Sequence, residues 1–174
     1  MDYRLLSSMI ATGEAAVEEV PGFFENGFFW AILGMVFAIM LAGIGSAKGV
    51  MTVGSSGLGL LSEDPKQFTA CLLLTLLPST QGIYGFVIAF MLLNKANEIG
   101  IDALTLSQGL QLFGAALPVG IVGCISGMFQ GKVAAASIAL AAKQPKHWSK
   151  GMIITLTVEM FALFGFLISI FMIG

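Results

Sequence analysis

The sequence predicts an all-α integral membrane protein, with four transmembrane helices arranged as two duplicated hairpins. Three observations carry the prediction. Of 174 residues, 57% are hydrophobic and 10% charged, where a soluble domain has about 25% charge; the mean hydropathy is +0.94. The charges bracket four long uncharged runs: Glu25 to Lys48, Lys66 to Lys95, Asp102 to Lys132, and Lys150 to the C-terminus, the last interrupted only by Glu159. Each run reaches the roughly 20 residues that a spanning helix needs. The third observation is a repeat: Gly85-Phe86 matches Gly165-Phe166, and Pro65-Lys66 matches Pro145-Lys146, both at a spacing of 80.

In chain order, residues 1–27 form an N-terminal extension, 28–98 the first hairpin and 99–174 the second. The extension lacks the pattern of a signal peptide. Asp2 and Arg4 precede only a short apolar run, and Glu14, Glu18 and Glu19 follow too early. The first helix is therefore expected to act as its own uncleaved insertion signal. Basic residues set the orientation. Lys66, Lys143, Lys146 and Lys150 lie in the connections between helices one and two and between three and four; the N-terminal segment and the 2–3 connection are mainly acidic. The positive-inside rule puts the 1–2 and 3–4 connections in the cytoplasm and both termini, with the extension, on the extracytoplasmic side. Helices one and three meet no proline for about three turns past Lys48 and Lys132. They are expected to protrude into the cytoplasm as a platform for a soluble partner.

The repeat is parallel, both hairpins having one orientation. In helices one and three, Gly43 pairs with Gly127 and Lys48 with Lys132, four residues out of step with helices two and four. That reads as one turn deleted from the second hairpin. At the spacing of helices two and four, Glu159 corresponds to Ser79, so only the second copy carries the carboxylate. Gly123, Gly127, Gly131, Ala135 and Ala139 recur every four positions, and Gly34, Ala38, Ala42, Ser46 and Gly54 do much the same in helix one. Such faces let helices approach closely. Helices two and four are bulkier, with Leu72, Leu73, Leu74, Phe86, Phe90, Phe161, Phe164, Phe166 and Phe171. Thin helices inside and bulky ones outside suit a ring of identical copies; an ordinary four-helix bundle accounts for the same pattern.

Glu159 is the only ionisable residue inside any of the four runs. A carboxylate in hydrocarbon costs about 2.5–3.5 kcal/mol on insertion scales, and by default it marks an ion, proton or ligand site. Helix two offers partners in LLPSTQGIYGF. Leu77, Thr80, Gln81 and Tyr84 stand at i, i+3, i+4 and i+7, on one helical face. Pro78 removes an N–H and disturbs the ladder, so nearby carbonyls can turn outward. On helix three, Gln130 adds a second amide. Each polar residue alone reads as a hydrogen-bond partner for another. Together with Glu159 they make an oxygen-rich cage with one fixed charge, which suits a hard monovalent cation. A proton needs only the carboxylate and one hydrogen bond, so the surplus oxygens favour Na⁺ over H⁺.

LLPSTQGIYGFVIAF, QGKVAAA and TVEMFALFGF resemble the rotor-ring (proteolipid, c or K) subunit of V-type and archaeal-type rotary ATPases, most closely that of bacterial Na⁺-translocating V-type enzymes. The resemblance covers roughly residues 28–174. It implies that Glu159 binds a transported Na⁺ together with the Leu77 backbone oxygen, Thr80, Gln81 and Gln130, while Tyr84 steadies the glutamate. It implies a homo-oligomeric ring in the cell (inner) membrane, turning against a stator membrane subunit that carries an essential arginine. Central-stalk subunits would dock on the cytoplasmic face and lipid on the outside. It implies no organic cofactor and no nucleic-acid partner. ATP hydrolysis or synthesis would occur in other subunits, this one being non-catalytic. An H⁺-translocating ring of the same family is the alternative.

Other readings fit less well. A small multidrug-type antiporter also has four helices and one membrane glutamate, but in helix one, where this chain has none. A tetraspan structural protein needs no polar stripe. GSSGLG, Gly54 to Gly59, lacks the lysine of a phosphate-binding loop and reads as helix packing. Cys71 and Cys124 lie inside apolar helices without metal-ligand spacing and read as small packing residues.

Overall fold

The computed structural model describes residue 22 and residues 24–174. The expectations for the N-terminal extension fall, for residues 1–21 and 23, outside the described residues.

Among the described residues five α-helices make up four spans: α1 (Gly27–Glu63), α2 (Phe68–Leu76), α3 (Thr80–Ile99), α4 (Leu106–Lys143) and α5 (Trp148–Ile173). Helices α2 and α3 are the two halves of the second span, joined by a 3₁₀ turn over Leu77–Ser79. All four spans are long and apolar enough to cross a membrane. Their ends follow from local chemistry. Asn26 caps α1 by accepting from the Phe28 and Phe29 N–H groups at 2.8 and 3.4 Å. Asp64 ends α1 and accepts from the Lys66 N–H at 3.1 Å, with Pro65 opening the next turn. Gly100, at φ 97°, closes α3 in a backbone conformation that L side chains resist. Thr105 and Gln108 form a capping box at the start of α4. Helices α1 and α4 run on past Lys48 and Lys132 to Glu63 and Lys143, the extension expected from the missing prolines.

The first and third spans lie against each other with almost nothing between their backbones. A Cβ at Gly131 would sit 2.4 Å from the Gly49 Cα, and one at Gly45 would sit 2.3 Å from the Cys124 carbonyl oxygen. Only glycine permits that approach. Most of the bulk on the second and fourth spans points outward: Phe86, Phe90, Phe161, Phe164 and Phe171 are exposed. Two residues depart from that reading. Leu74 is fully buried, and Phe166 turns inward to stack on Tyr84 at 5.0 Å. Side-chain size predicts a lipid-facing stripe only on average; a helix still needs apolar side chains where it meets its neighbours. Cys71 is buried and Cys124 partly so, and both are free thiols.

Cross-helix contacts correct the register of the repeat. Gly57 packs on Cys71, and Ser137 on Gly151. Thr75 donates to the Cys71 carbonyl at 2.7 Å and Thr155 to the Gly151 carbonyl at 2.9 Å. A Cβ at Gly85 would lie 2.5 Å from the Ala38 oxygen, and one at Gly165 would lie 2.8 Å from the Pro118 oxygen. Every pair is related by the same spacing of 80. No turn is deleted: Gly43 corresponds to Gly123, not Gly127. Small residues recurring every four positions match themselves after a one-turn slip, which is how the sequence misleads.

Buried apolar residues form two clusters. One gathers Ala31, Ala38, Ile88, Leu92, Leu112 and Val119 with others; the second gathers Val53, Leu60, Cys71, Leu74, Ala134 and Ile138 with others. Between the two clusters sit the buried polar side chains Ser46, Gln81, Ser126, Gln130, Thr155 and Glu159, while Ser137 and Ser169 lie level with the clusters themselves.

Candidate ion-binding site

Glu159 lies on α5 with 8% of its surface exposed. Both carboxylate oxygens are held. Oε1 accepts from the Tyr84 hydroxyl at 2.8 Å, and Oε2 accepts from Gln130 Nε2 at 3.3 Å. The Gln130 amide also donates to the Thr155 carbonyl at 3.4 Å. Gln130 Oε1 in turn accepts from Gln81 Nε2 at 2.6 Å. A continuous chain thus runs from Gln81 through Gln130 and Glu159 to Tyr84, across the second, third and fourth spans.

The local fold explains why these groups converge. Without Pro78 the second span would be one regular helix. Its 3₁₀ turn tightens the chain, and Leu77 O becomes the acceptor of the Thr80 N–H. The Thr80 hydroxyl donates to the same oxygen at 3.0 Å. Leu77 and Thr80 therefore form a local pair in the turn leading into Gln81 and make no hydrogen bond to Glu159. Tyr84 is oriented by its stack on Phe166. Ser79, the counterpart of Glu159, donates to the Leu76 carbonyl of its own helix.

Two features give this arrangement its chemistry. First, the carboxylate has no cationic partner: among the described residues the one ion pair is Lys95–Glu98, at 3.5 Å. A buried charge without a counter-charge costs several kcal/mol, so a proton or a cation must neutralise Glu159. Second, Gln81 is fully buried and its Oε1 has no hydrogen-bond donor. Leaving a buried acceptor unsatisfied costs about 1–3 kcal/mol. A neutral acceptor without a donor, linked through Gln130 to a carboxylate without a counter-charge, is an arrangement that a cation can satisfy. The residues present fit such an ion.

Two contributors were not foreseen from sequence. Thr155 takes part through its backbone carbonyl, which no side-chain reading reveals, although it stands one turn before Glu159 on the same face. Ser46 of α1 accepts from the Gly82 N–H at 2.8 Å; its place in a row of small residues disguised it as packing.

The comparisons with known proteins give the family. The family model for the ATP synthase C subunit matches twice, over residues 33–92 and 113–172, again at one spacing of 80. The chain is 46% identical to the V-type sodium ATPase subunit K of Enterococcus hirae over 145 residues, 83% of this chain and 90% of that protein. It is 38% identical to the A-type ATP synthase subunit K of Methanocaldococcus jannaschii over 141 residues, 81% of this chain and 61% of that one. To the 16 kDa proteolipid of the human V-type proton ATPase it is 25% identical over 146 residues, 84% of this chain and 92% of that one. Matched in both of its hairpins and across more than half its length, this chain belongs to the ATP synthase C-subunit family.

Proposed function

We propose that this chain is the membrane rotor-ring subunit of a V-type rotary ATPase and carries Na⁺ on Glu159. The observation that carries the reading is the pairing of the uncompensated Glu159 carboxylate with the donorless Gln81 Oε1. Na⁺ would be held by Glu159, Gln81, Gln130, Thr80 and the Leu77 carbonyl, with Tyr84 and Pro78 supporting. Both Glu159 oxygens already accept hydrogen bonds, which hold the carboxylate in one orientation for an ion. The 46% identity to a sodium ATPase subunit K supports the same ion. With Na⁺ bound the site is neutral and can face lipid. Where the ion leaves, a positive charge on a stator subunit offsets the bare carboxylate. ATP chemistry belongs to other subunits, which meet the protruding ends of the first and third spans. The basic 1–2 and 3–4 connections face the cytoplasm of a cell membrane and the termini face outward.

The repeat supports the ring. Val122, Ile125, Ser126, Phe129, Val158 and Phe161 line an apolar groove on the third and fourth spans. Their counterparts at a spacing of 80 include Gly45, Gly49 and Gln81, which the third span covers. Conversely, Met40, Met51 and Leu58 are exposed on α1, whereas their counterparts Gly120, Gly131 and Ile138 are buried. Each chain therefore presents one uncovered face of each kind. The α1 face of one copy fits the groove of the next, a head-to-tail contact that closes into a ring.

The test is labelling of Glu159 in the purified ring by a hydrophobic carbodiimide, which needs a protonated carboxyl, followed by mass spectrometry. Na⁺ at fixed pH is expected to protect Glu159. Labelling indifferent to Na⁺ and sensitive only to pH would assign the ring to H⁺ transport instead.

A further inference from the structure

The second span is broken at Pro78, and something must hold the opened turn in one geometry if it is to present ligands. The contacts come from α1. Ser46 is buried, and its hydroxyl accepts the Gly82 N–H at 2.8 Å, in the first turn after the break, where the regular ladder is incomplete. One turn along α1, Gly49 lies against Pro78 so closely that a Cβ there would sit 2.7 Å from the Pro78 Cβ. The second hairpin supplies an internal control. Ser126 is the counterpart of Ser46, but the positions matching Pro78 and Gly82 are Val158 and Ala162, and α5 runs unbroken from Trp148 to Ile173. There the serine turns back and donates to the Gly123 carbonyl of its own helix at 3.3 Å. The same residue crosses to its neighbour only where the neighbour is broken.

We propose that Ser46 is a positioning residue of the ion site. Its hydroxyl fixes the 3₁₀ turn so that the Leu77 carbonyl, the Thr80 hydroxyl and the Gln81 amide are held in one position as ligands for the ion on Glu159. Ser46 touches neither Glu159 nor Gln130 by hydrogen bond; it acts through the backbone at Gly82. This rests on the reading of Glu159 as a Na⁺ site.

The experiment compares Ser46→Ala, Ser46→Cys and Ser46→Thr in the assembled ring, by radiolabelled Na⁺ binding and by Na⁺ protection of Glu159 against carbodiimide. Ala removes the acceptor. Cys keeps an unbranched, slightly larger side chain but accepts weakly, and it carries the test alone if the Ala ring does not assemble. Thr keeps the acceptor. Ala and Cys are expected to weaken Na⁺ binding about five- to tenfold, a single hydrogen bond's worth, while Thr restores it. Thermal stability of the ring is expected to order the variants differently, with Thr the most perturbed because of its added methyl group beside Gly82. Equal Na⁺ affinity in wild type and Cys overturns the role of Ser46, and so does a Thr variant as weak as Cys. A wild-type ring whose labelling ignores Na⁺ overturns the sodium reading itself, which keeps the two failures distinct.

Discussion

The two hairpins of this chain share a scaffold and divide a chemistry. In the second hairpin the outer span is an uninterrupted helix, and it contributes one charged side chain, Glu159, together with the Thr155 carbonyl. In the first, the outer span is broken at Pro78, and it carries the neutral oxygens of Leu77, Thr80 and Gln81 that we propose as ligands. At Glu159's position it has Ser79, which bonds its own backbone. A charge can sit in an intact helix because it needs only a side chain. A backbone oxygen in an intact helix is already engaged in the ladder and offers only its second lone pair, as the Thr155 carbonyl does to Gln130. On the proposed reading, breaking one copy and charging the other yields a cage that two identical hairpins could not build, and it leaves the Glu159 carboxylate as the charge to neutralise.

The sharpest way to break this division is to remove the charge. Glu159→Gln keeps size and a hydrogen-bond acceptor but no charge. The ring is expected to assemble at its native mass, with ATP-driven Na⁺ uptake into vesicles falling to background. Moving the charge tests the comparison from the other side. Ser79→Glu in the Glu159→Gln background puts a carboxylate at the matching position of the broken copy. Tyr84, Gln81 and Gln130 converge on the fourth span, so the new carboxylate lacks their hydrogen bonds and bears a cost of about 2.5–3.5 kcal/mol. Transport is not expected to return. Recovered uptake in the double variant would mean that the two hairpins are interchangeable after all.

Next in size are the neutral ligands. Thr80→Val and Gln81→Leu each remove one oxygen at nearly constant volume. A contact to a charged centre is worth about 1.5–3 kcal/mol, which is roughly 10- to 150-fold in Na⁺ affinity. Transport at low Na⁺ should fail first and partly recover at high Na⁺. Unchanged affinity in both variants would reduce the polar face of the second span to packing. Gln81→Leu should be the worse of the two, since it also strips Gln130 Oε1 of its 2.6 Å donor.

The sequence was informative where chemistry is rare and silent where it is common. Glu159 stands out because no other charge interrupts an apolar run. Leu77, Thr80, Gln81 and Tyr84 group themselves because polar residues at helical spacing inside a span are unusual. Gln130 joined them as an isolated amide, and the hydrogen bonds bring Gln81, Gln130, Tyr84 and Glu159 together. Glycine and alanine are so frequent here that Gly43 could be matched to the wrong partner; only contacts such as Gly57 with Cys71 and Ser137 with Gly151 fix the register. Ser46 was hidden by the same abundance. Leu74 and Phe166 escaped because size does not say which way a helix faces.

Tyr84→Phe is a milder probe. It keeps the stack on Phe166 and deletes one hydrogen bond to one carboxylate oxygen. About two- to tenfold weaker Na⁺ binding is expected, the value of an ordinary hydrogen bond. A loss as large as that of Gln81→Leu would promote the phenol from support to ligand.

The smallest effect separates backbone from side chain at the site. Thr75 and Thr155 are counterparts, and each hydroxyl donates to the carbonyl four residues earlier, Cys71 and Gly151 respectively. Only Thr155 reaches the site, and it does so through its carbonyl, which accepts from Gln130 Nε2 at 3.4 Å. Valine has nearly the same shape and leaves that carbonyl in place. Thr75→Val and Thr155→Val should therefore bind Na⁺ alike and within about twofold of wild type, less than one hydrogen bond's worth. Thr155→Val should nevertheless lower the thermal stability of the ring more, because its hydroxyl also meets Ser137 Oγ at 3.3 Å in a fully buried position. Calorimetry and radiolabelled Na⁺ binding on the same preparations read both quantities. If Thr155→Val instead weakens Na⁺ binding as strongly as Thr80→Val, the hydroxyl of the charged copy is a ligand, and the division between a copy that gives charge and a copy that gives neutral side-chain oxygens does not hold.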